Sequence, residues 1–378
     1  MGLQMAGFEH SALIEWDRHS CANIRGNIEN GYKPIKHWNV IESDVRLIDY
    51  TVFGADVQLI AGGPPCQPFS LGGKHQAYND KRDMFPEAVR AVRELKPYVF
   101  IFENVKGLLR KSFATYFNYI LLQLIYPDHF RAPNESWLQH LARLEKGHVS
   151  GHMDCMKYNV IFRLLNTADY GVPQTRYRVV IVGFRNDLEV DWSFPEATHS
   201  RDALLYSQWV TGGYWDEHKI AAKHRPEISQ TDKSKVNALK TNYLFSSLPT
   251  SRWNTVRDAI GNLPDPKNKE KALSIFNHEF RSGARVYAGH TGSVLDEPSK
   301  TLKAGDHGVP GGENTVVLDD GSIRYYTVRE SARLQTFPDD YLFYGSWTEN
   351  MRQIGNAVPV KLASVIGNSV IQHLKGVE

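Results

Sequence analysis

Through the first half of the chain, short apolar runs alternate with stretches whose apolar residues recur at helical spacing. Val57 with Leu59-Ile60-Ala61, then Val99-Phe100-Ile101-Phe102, then Val179-Val180-Ile181-Val182-Gly183 each predict a strand bounded by proline, glycine or charge. Between the first two, Glu87-Ala88-Val89-Arg90-Ala91-Val92-Arg93-Glu94-Leu95 predicts an amphipathic helix, and 114–126 reads as another. Continuously apolar strands interleaved with helices make an α/β fold, a doubly wound and mostly parallel sheet, over residues 1–186. The stretch 113–151 interrupts this pattern, and Arg131-Ala132-Pro133-Asn134-Glu135 begins a polar insertion. From 187 to 323 no clean period lasts over helix length, and glycines make 301–314 loop-like, so a second, smaller domain is expected there. The large domain resumes over 324–378, where 357–374 reads as a terminal helix broken near Pro359.

Composition bounds the rest. The chain has 378 residues, enough for one large domain and a smaller one, with 44 basic against 42 acidic residues and a formal net charge of +2. Any nucleic-acid surface must therefore be local. Basic and aromatic residues mix over 214–240 and from His278-Glu279-Phe280-Arg281 to Arg285, though such runs are commonly solvated faces. Cys21, Cys66 and Cys155 are too few and too scattered for a disulfide framework or zinc cluster, which points to a reducing cytoplasm. No apolar run approaches bilayer length and no leader is expected, so no membrane partner is either.

The chemistry concentrates at strand ends. Gly62-Gly63-Pro64-Pro65-Cys66-Gln67-Pro68-Phe69-Ser70 sets a thiol behind a rigid turn at the carboxyl end of an apolar run. Ligands bind at that end of an open α/β sheet, so the position suits a nucleophile; the plainer alternative is a small buried hydrophobe. Glu103-Asn104-Val105 closes the next run with a carboxylate. Gln174-Thr175-Arg176-Tyr177-Arg178 opens the third, with Arg176 and Arg178 on one face. Cysteine, glutamate and arginine converge only if these strands are neighbours.

Together these segments resemble the DNA (cytosine-5)-methyltransferases. The Pro-Cys-Gln turn, the Glu-Asn-Val tip and the Gln-x-Arg-x-Arg run are followed by Arg329-Glu330-Ser331-Ala332-Arg333-Leu334-Gln335-Thr336-Phe337-Pro338 and Gln353-Ile354-Gly355-Asn356-Ala357-Val358-Pro359, similar to the family's last two blocks and in its order. The resemblance implies methyl transfer from S-adenosylmethionine to carbon 5 of a cytosine in duplex DNA, leaving S-adenosylhomocysteine. Cys66 would be the nucleophile, Glu103 would serve N3, Arg178 would bind the exocyclic carbonyl and Arg176 would support the catalytic loop. Pro64, Ser70, Asn104 and Gln174 would touch the substrate. Glu15, Trp16, Asp44, Val45, Pro65, Met84, Asn356 and Val358 would line the cofactor. Region 187–323 would be the target-recognition domain, and the target base would be flipped out of the helix. The expected setting is a restriction-modification system in a prokaryotic or phage-infected cytoplasm, with a cognate endonuclease and a monomer acting on DNA. No metal is expected.

Family members begin with a strand and a Phe-x-Gly-x-Gly-Gly turn that cradles the methionine end of the cofactor. Here Met1-Gly2-Leu3-Gln4-Met5-Ala6-Gly7-Phe8 aligns beyond that turn, and the glycine loop is absent. A late start, a split enzyme completed by another polypeptide, and an impaired DNA-binding homologue are the competing expectations, beside an RNA cytosine methyltransferase of similar fold. Loss of the first strand would also leave a gap in the sheet.

Overall fold

The computed structural model describes residues 1–54, 56–65, 83–151, 153–243, 248–285, 291–304 and 314–376. A short helix α1 (Gly2–Met5) precedes β1 (Leu13–Glu15), which pairs in parallel with β2 (Val40–Glu42) across the crossover helix α2 (Arg18–Glu29). Asp17 starts α2 by accepting the Ser20 N–H at 2.8 Å, as an N-cap should. Next come β3 (Leu59–Gly62), α3 (Phe85–Leu95) and β4 (Val99–Val105), a second parallel pair joined by a helix. Two helices, α4 (Ala114–Ile125) and α5 (Trp137–Ser150), lead to β5 (Tyr158–Asn166) and β6 (Tyr177–Arg185).

The four-stranded sheet runs β3-β4-β6-β5, and β6 is antiparallel to both neighbours. The sheet is thus mixed where a mostly parallel one was expected. The cause is the connection 167–176, which holds only a 3₁₀ turn over Thr167–Tyr170 and no crossover helix; so short a return can only lay its strands antiparallel. Phe100 and Phe102 face a core built from α3, α4 and Tyr158, while Val99 and Ile101 face Phe8, Trp192 and Phe194. With both faces covered, alternation disappears from the sequence and the run reads as continuously apolar.

The stretch at 131–151 is more regular than expected. Ser136 and Gln139 form a reciprocal capping box and start α5, which buries His140, Leu141 and Leu144. Within 187–323 a 13-residue helix, α6 (Gln230–Asn242), stands where no period was read, because only Val236 and Leu239 are buried along it. Leu205, Val236 and Leu239 form one small cluster, and Leu204, Tyr214 and Trp215 another. Val256, Ile260, Leu302 and Val316 instead share a core with Ile35, with α7 (Val328–Leu334) and with Ile354 of α8 (Trp347–Asn356).

The terminal helix α9 (Val360–Leu374) starts after Pro359, and Ala357 is extended, so the break falls where it was expected. One membrane expectation needs correction: Trp347–Leu374 reaches a mean hydropathy of 1.3 over an 18-residue window, enough in length and composition for a span. It is two helices, and Leu362, Ile366, Val370 and Leu374 pack against the sheet. Helix α1 lies tightly on α9: a Cβ at Gly2 would meet the Val360 carbonyl oxygen at 2.4 Å.

Among the described residues β1 pairs only with β2, and β3 only with β4. Between their two open edges lies a cavity of about 460 Å³ lined by Leu13, Ala61, Gly62, Ile101, Val180, Val358 and Ile366, among others. Ile14 and Ile60 meet in one cluster with Ala91 and Leu95 of α3, while Val360, Ala363 and Ile366 of α9 line the cavity itself. The gap is therefore roofed by helices on both faces.

Candidate active site

Strand order brings the three expected tips together. The turn after β3 is held by β4: Asn104 Nδ2 donates to the Pro64 carbonyl at 2.9 Å, and a Cβ on Gly63 would lie 3.3 Å from Glu103 Oε2. Arg178 enters from β6, its Nε 2.5 Å from Glu103 Oε1. Both partners are largely enclosed, with side chains 12% and 16% exposed. Burial raises the Glu103 carboxyl above the ordinary range, against the pull of Arg178 and Arg176. Burial likewise lowers Arg178, and Glu103 opposes it.

Cys66 and Ser70 lie outside the described residues, as do 66–82 and 305–313. The ends of the first of these segments are nonetheless tied together, since the Met84 N–H donates to the Pro65 carbonyl at 3.0 Å. Asp83 accepts from the Phe85 N–H and from the Tyr116 hydroxyl, anchoring the return. Residue 66 follows directly on a turn seated beside the Glu103–Arg178 pair.

Two expected substrate contacts are buried. Asn104 is buried, its amide nitrogen on Pro64 and its oxygen on the Val105 N–H, so it shapes the turn. Gln174 is wholly buried, its amide donating to the Leu334 carbonyl and accepting from the Leu302 N–H. Arg176 is 1% exposed and reaches the carbonyls of Leu302, Gly355 and Ala357. Nothing in the spacing Gln-x-Arg-x-Arg distinguishes the arginine that serves main-chain carbonyls from the one paired with Glu103; such carbonyls leave no mark in a sequence.

Of the expected cofactor-side residues, Val358 lines the cavity, and Glu15, Trp16, Asp44 and Asn356 are not among its lining side chains. Trp16 is 75% exposed at the tip of β1, with the Glu15 carboxylate beside it accepting the Asp17 N–H. Asp44 caps the turn Val45–Leu47 and pairs with Arg46, which holds its carboxyl down at about 2. Asn356 is exposed and Val358 lines the cavity. An open indole and carboxylate suit the ring and hydroxyls of an adenosine. The cavity walls are mainly apolar, with Ser20, Glu103, Gln353 and Tyr341 among the side chains that carry polar groups.

The mixed basic and aromatic stretches divide. Tyr214, Trp215 and His278 are buried, His278 bridging Thr327 and the Pro264 carbonyl, so they are not surface contacts. Arg252 and Arg257 are locked to Asp258 and to Asp296 and Asp319. That pairing also occupies the acid cluster of Glu217, His218 and Asp258. Lys269, Lys271, Arg281 and Arg285 remain exposed, Arg281 lying over the Trp347 ring at 4.3 Å.

The sequence model of the C-5 cytosine-specific DNA methylases matches residues 1–129 and 138–372. The chain is 31% identical over 378 residues to the type II methyltransferase M.Eco47II of Escherichia coli, covering 99% of this chain and 76% of that one. Against the type II methyltransferase M.NgoMIV of Neisseria gonorrhoeae it is 30% identical over 384 residues, covering 99% and 94%. The Dnmt2 methyltransferase of S. pombe shares the fold at a TM-score of 0.53 and 16% identity, covering 100% of this chain and 95% of that one. By sequence model and full-length relatives alike, this chain belongs to the C-5 cytosine-specific DNA methylase family.

Proposed function

We propose that the chain methylates carbon 5 of a cytosine in duplex DNA through a transient covalent bond to Cys66, as the methyltransferase of a restriction-modification system. The observation that carries this reading is the seating of the Gly62–Pro65 turn against Glu103 and Arg178. The Cys66 thiolate adds to carbon 6 of a flipped-out cytosine, and the electron pair moves onto the ring. Glu103, raised by burial, holds a proton at N3, while Arg178 binds the exocyclic carbonyl. Carbon 5 then takes the methyl that S-adenosylmethionine supplies. Loss of the carbon 5 proton and release of the thiolate end the cycle. Trp16 and Glu15 hold the adenosine end. Incorporation of labelled methyl into duplex DNA, mapped to carbon 5, tests the reading; transfer to RNA alone, or to an exocyclic nitrogen, would contradict it.

The role of Glu103 carries a pH signature. Its raised pKa means that the proton-donating form persists further toward neutrality than in an ordinary carboxyl and is lost as pH rises through that value. The alkaline limb of the pH–rate profile should therefore belong to Glu103. Glu103→Gln should lower turnover by about 10²–10⁴ and abolish that limb. A mutant profile with the limb unchanged assigns it elsewhere.

Recognition is assigned to the exposed cations of 187–323. Lys271→Ala and Arg281→Ala should weaken DNA binding equally across sequences and reduce the salt slope by about 1 each if they meet phosphate. A base reader would cost about 1–3 kcal/mol at one position only. Arg257→Ala, which breaks ion pairs with Asp296 and Asp319, should lower the melting temperature instead. Sequence preference that survives deletion of most of 200–315 would place recognition in the 113–151 stretch.

A second reading concerns the cavity between β1 and β3. A strand supplied there, followed by a glycine turn, would pair with both open edges and bring backbone donors to the methionine end of the cofactor. What supports this is the coincidence of two edges without a partner strand among the described residues, mainly apolar walls and helices on both faces. A strand buried on both faces must itself be apolar throughout.

A further inference from the structure

The last two family blocks and the Gln-x-Arg run meet in one buried polar junction. Arg176 Nη2 donates to the Gly355 carbonyl at 2.7 Å and the Ala357 carbonyl at 3.2 Å, and Nη1 to the Leu302 carbonyl at 3.2 Å. Gln335 Nε2 donates to Ile354 and shares the Ala357 carbonyl, while Gln174 takes the Leu302 N–H. A Cβ on Gly355 would lie 2.5 Å from the Ala304 nitrogen, so the last turn of α8 and the 302–304 backbone touch with no side chain between them. Asn314 grips Lys303 from the far side, accepting its N–H and donating to its carbonyl, both at 3.0 Å.

Among the described residues no carboxylate pairs with Arg176 and its Nε has no hydrogen-bond partner; its charge rests on three main-chain carbonyls from two segments far apart in sequence. Burial lowers the guanidinium to about 9, with Arg178 adding to the effect. A buried cation that loses part of its shell is costly, so neither segment can leave it without penalising the other. One segment, 355–358, carries Asn356 and Val358 toward the cofactor. The other leads from 302–304 into residues 305–313, at the exit from the recognition region.

We infer that Arg176 is a positioning residue that locks the cofactor-side turn 355–358 to the recognition-side segment 302–304, so that cofactor and DNA each favour the other's binding through it. This rests on reading the chain as a cytosine methyltransferase. Arg176 touches neither ligand. Two carbonyl groups from the turn and one from the segment are satisfied together, and either ligand, by fixing its own segment, prepares the other's.

Amide hydrogen exchange on the ligand-free protein tests the lock. In Arg176→Lys, which keeps a charge but loses the fork, the amides of Leu302, Lys303, Ala357 and Val360 should exchange faster as one group, while those of Phe102 and Ile181 stay protected. Acceleration in one segment alone overturns the lock. Binding tests the coupling: with wild-type protein, S-adenosylhomocysteine and a duplex should each raise the other's affinity by the same factor, about 5-fold or more. That factor should fall to about 1 in Arg176→Lys. It should also fall in Gly355→Ala, which pushes 302–304 away with Arg176 intact. A purely structural role would weaken both single affinities and leave the factor unchanged, which overturns the inference, as does a wild-type factor of 1. A wild type that binds neither ligand contradicts the methyltransferase reading instead, and the exchange result then decides the lock by itself.

Discussion

Duplex DNA carrying 5-fluorocytosine at the target is expected to trap the protein as a covalent adduct when S-adenosylmethionine is supplied, and Cys66→Ser is expected to abolish it completely. Fluorine at carbon 5 cannot leave as a proton does, so the sulfur–carbon 6 bond persists after methylation. Cys21→Ser and Cys155→Ser should trap like the wild type. Cys21 is buried, and desolvation together with Glu42 and Glu15 pushes its thiol up to about 11; burial also raises Cys155. Both are thiols rather than thiolates near neutral pH, and the thiolate is the nucleophile. An adduct visible on a denaturing gel with Cys66→Ser would remove Cys66 from the mechanism.

A strand ending in Phe-x-Gly-x-Gly-Gly, fused ahead of Met1 or added as a separate peptide, is expected to raise S-adenosylhomocysteine affinity by about 10²–10³. The estimate takes about three backbone hydrogen bonds at about 1–1.5 kcal/mol each. Methylation should rise with it, while DNA affinity in the absence of cofactor changes little. The strand would enter between Leu13 on β1 and Ala61 and Gly62 on β3. Calorimetry on the protein with and without the added strand decides the matter. Equal, tight binding in both cases would show that the pocket completes itself by other means. A scrambled peptide of equal hydropathy controls for simple filling of the cavity.

Much of this architecture could be read before any coordinate. The apolar runs at 99–102 and 179–183 are strands whose neighbours seal both faces, the run at 59–61 is a half-open edge strand, and the charged or proline-bounded ends place Glu103 and Arg178 at adjoining tips. Helix α5 was missed although Ser136 and Gln139 stand at capping-box spacing, because Pro133 and Asn134 just before it read as loop. Helix α6 was missed for a different reason: a helix that buries two side chains has almost no period to detect. The junction around Arg176 was invisible in principle, since its acceptors are main-chain carbonyls that every residue possesses. Tyr214, Trp215 and His278 misled in the opposite direction, for an aromatic or imidazole next to cations looks the same in a buried cluster as on a nucleic-acid surface.

The reversal of β6 has a consequence for how such sites are written along a chain. Glu103 follows its apolar run, whereas Arg176 and Arg178 precede or open theirs. Because β6 runs against β4, Arg178 stands opposite Val105 and the beginning of one strand shares a rim with the end of the other. Had β6 been parallel, the same rim would have been served by residues beyond Arg185, and the arginines would sit at the opposite pole of the sheet. The polarity of a strand thus decides whether its contribution to a shared rim is written as a prefix or as a suffix. An acid trailing one apolar run and a cation leading another is the one-dimensional trace of two strands meeting head to tail.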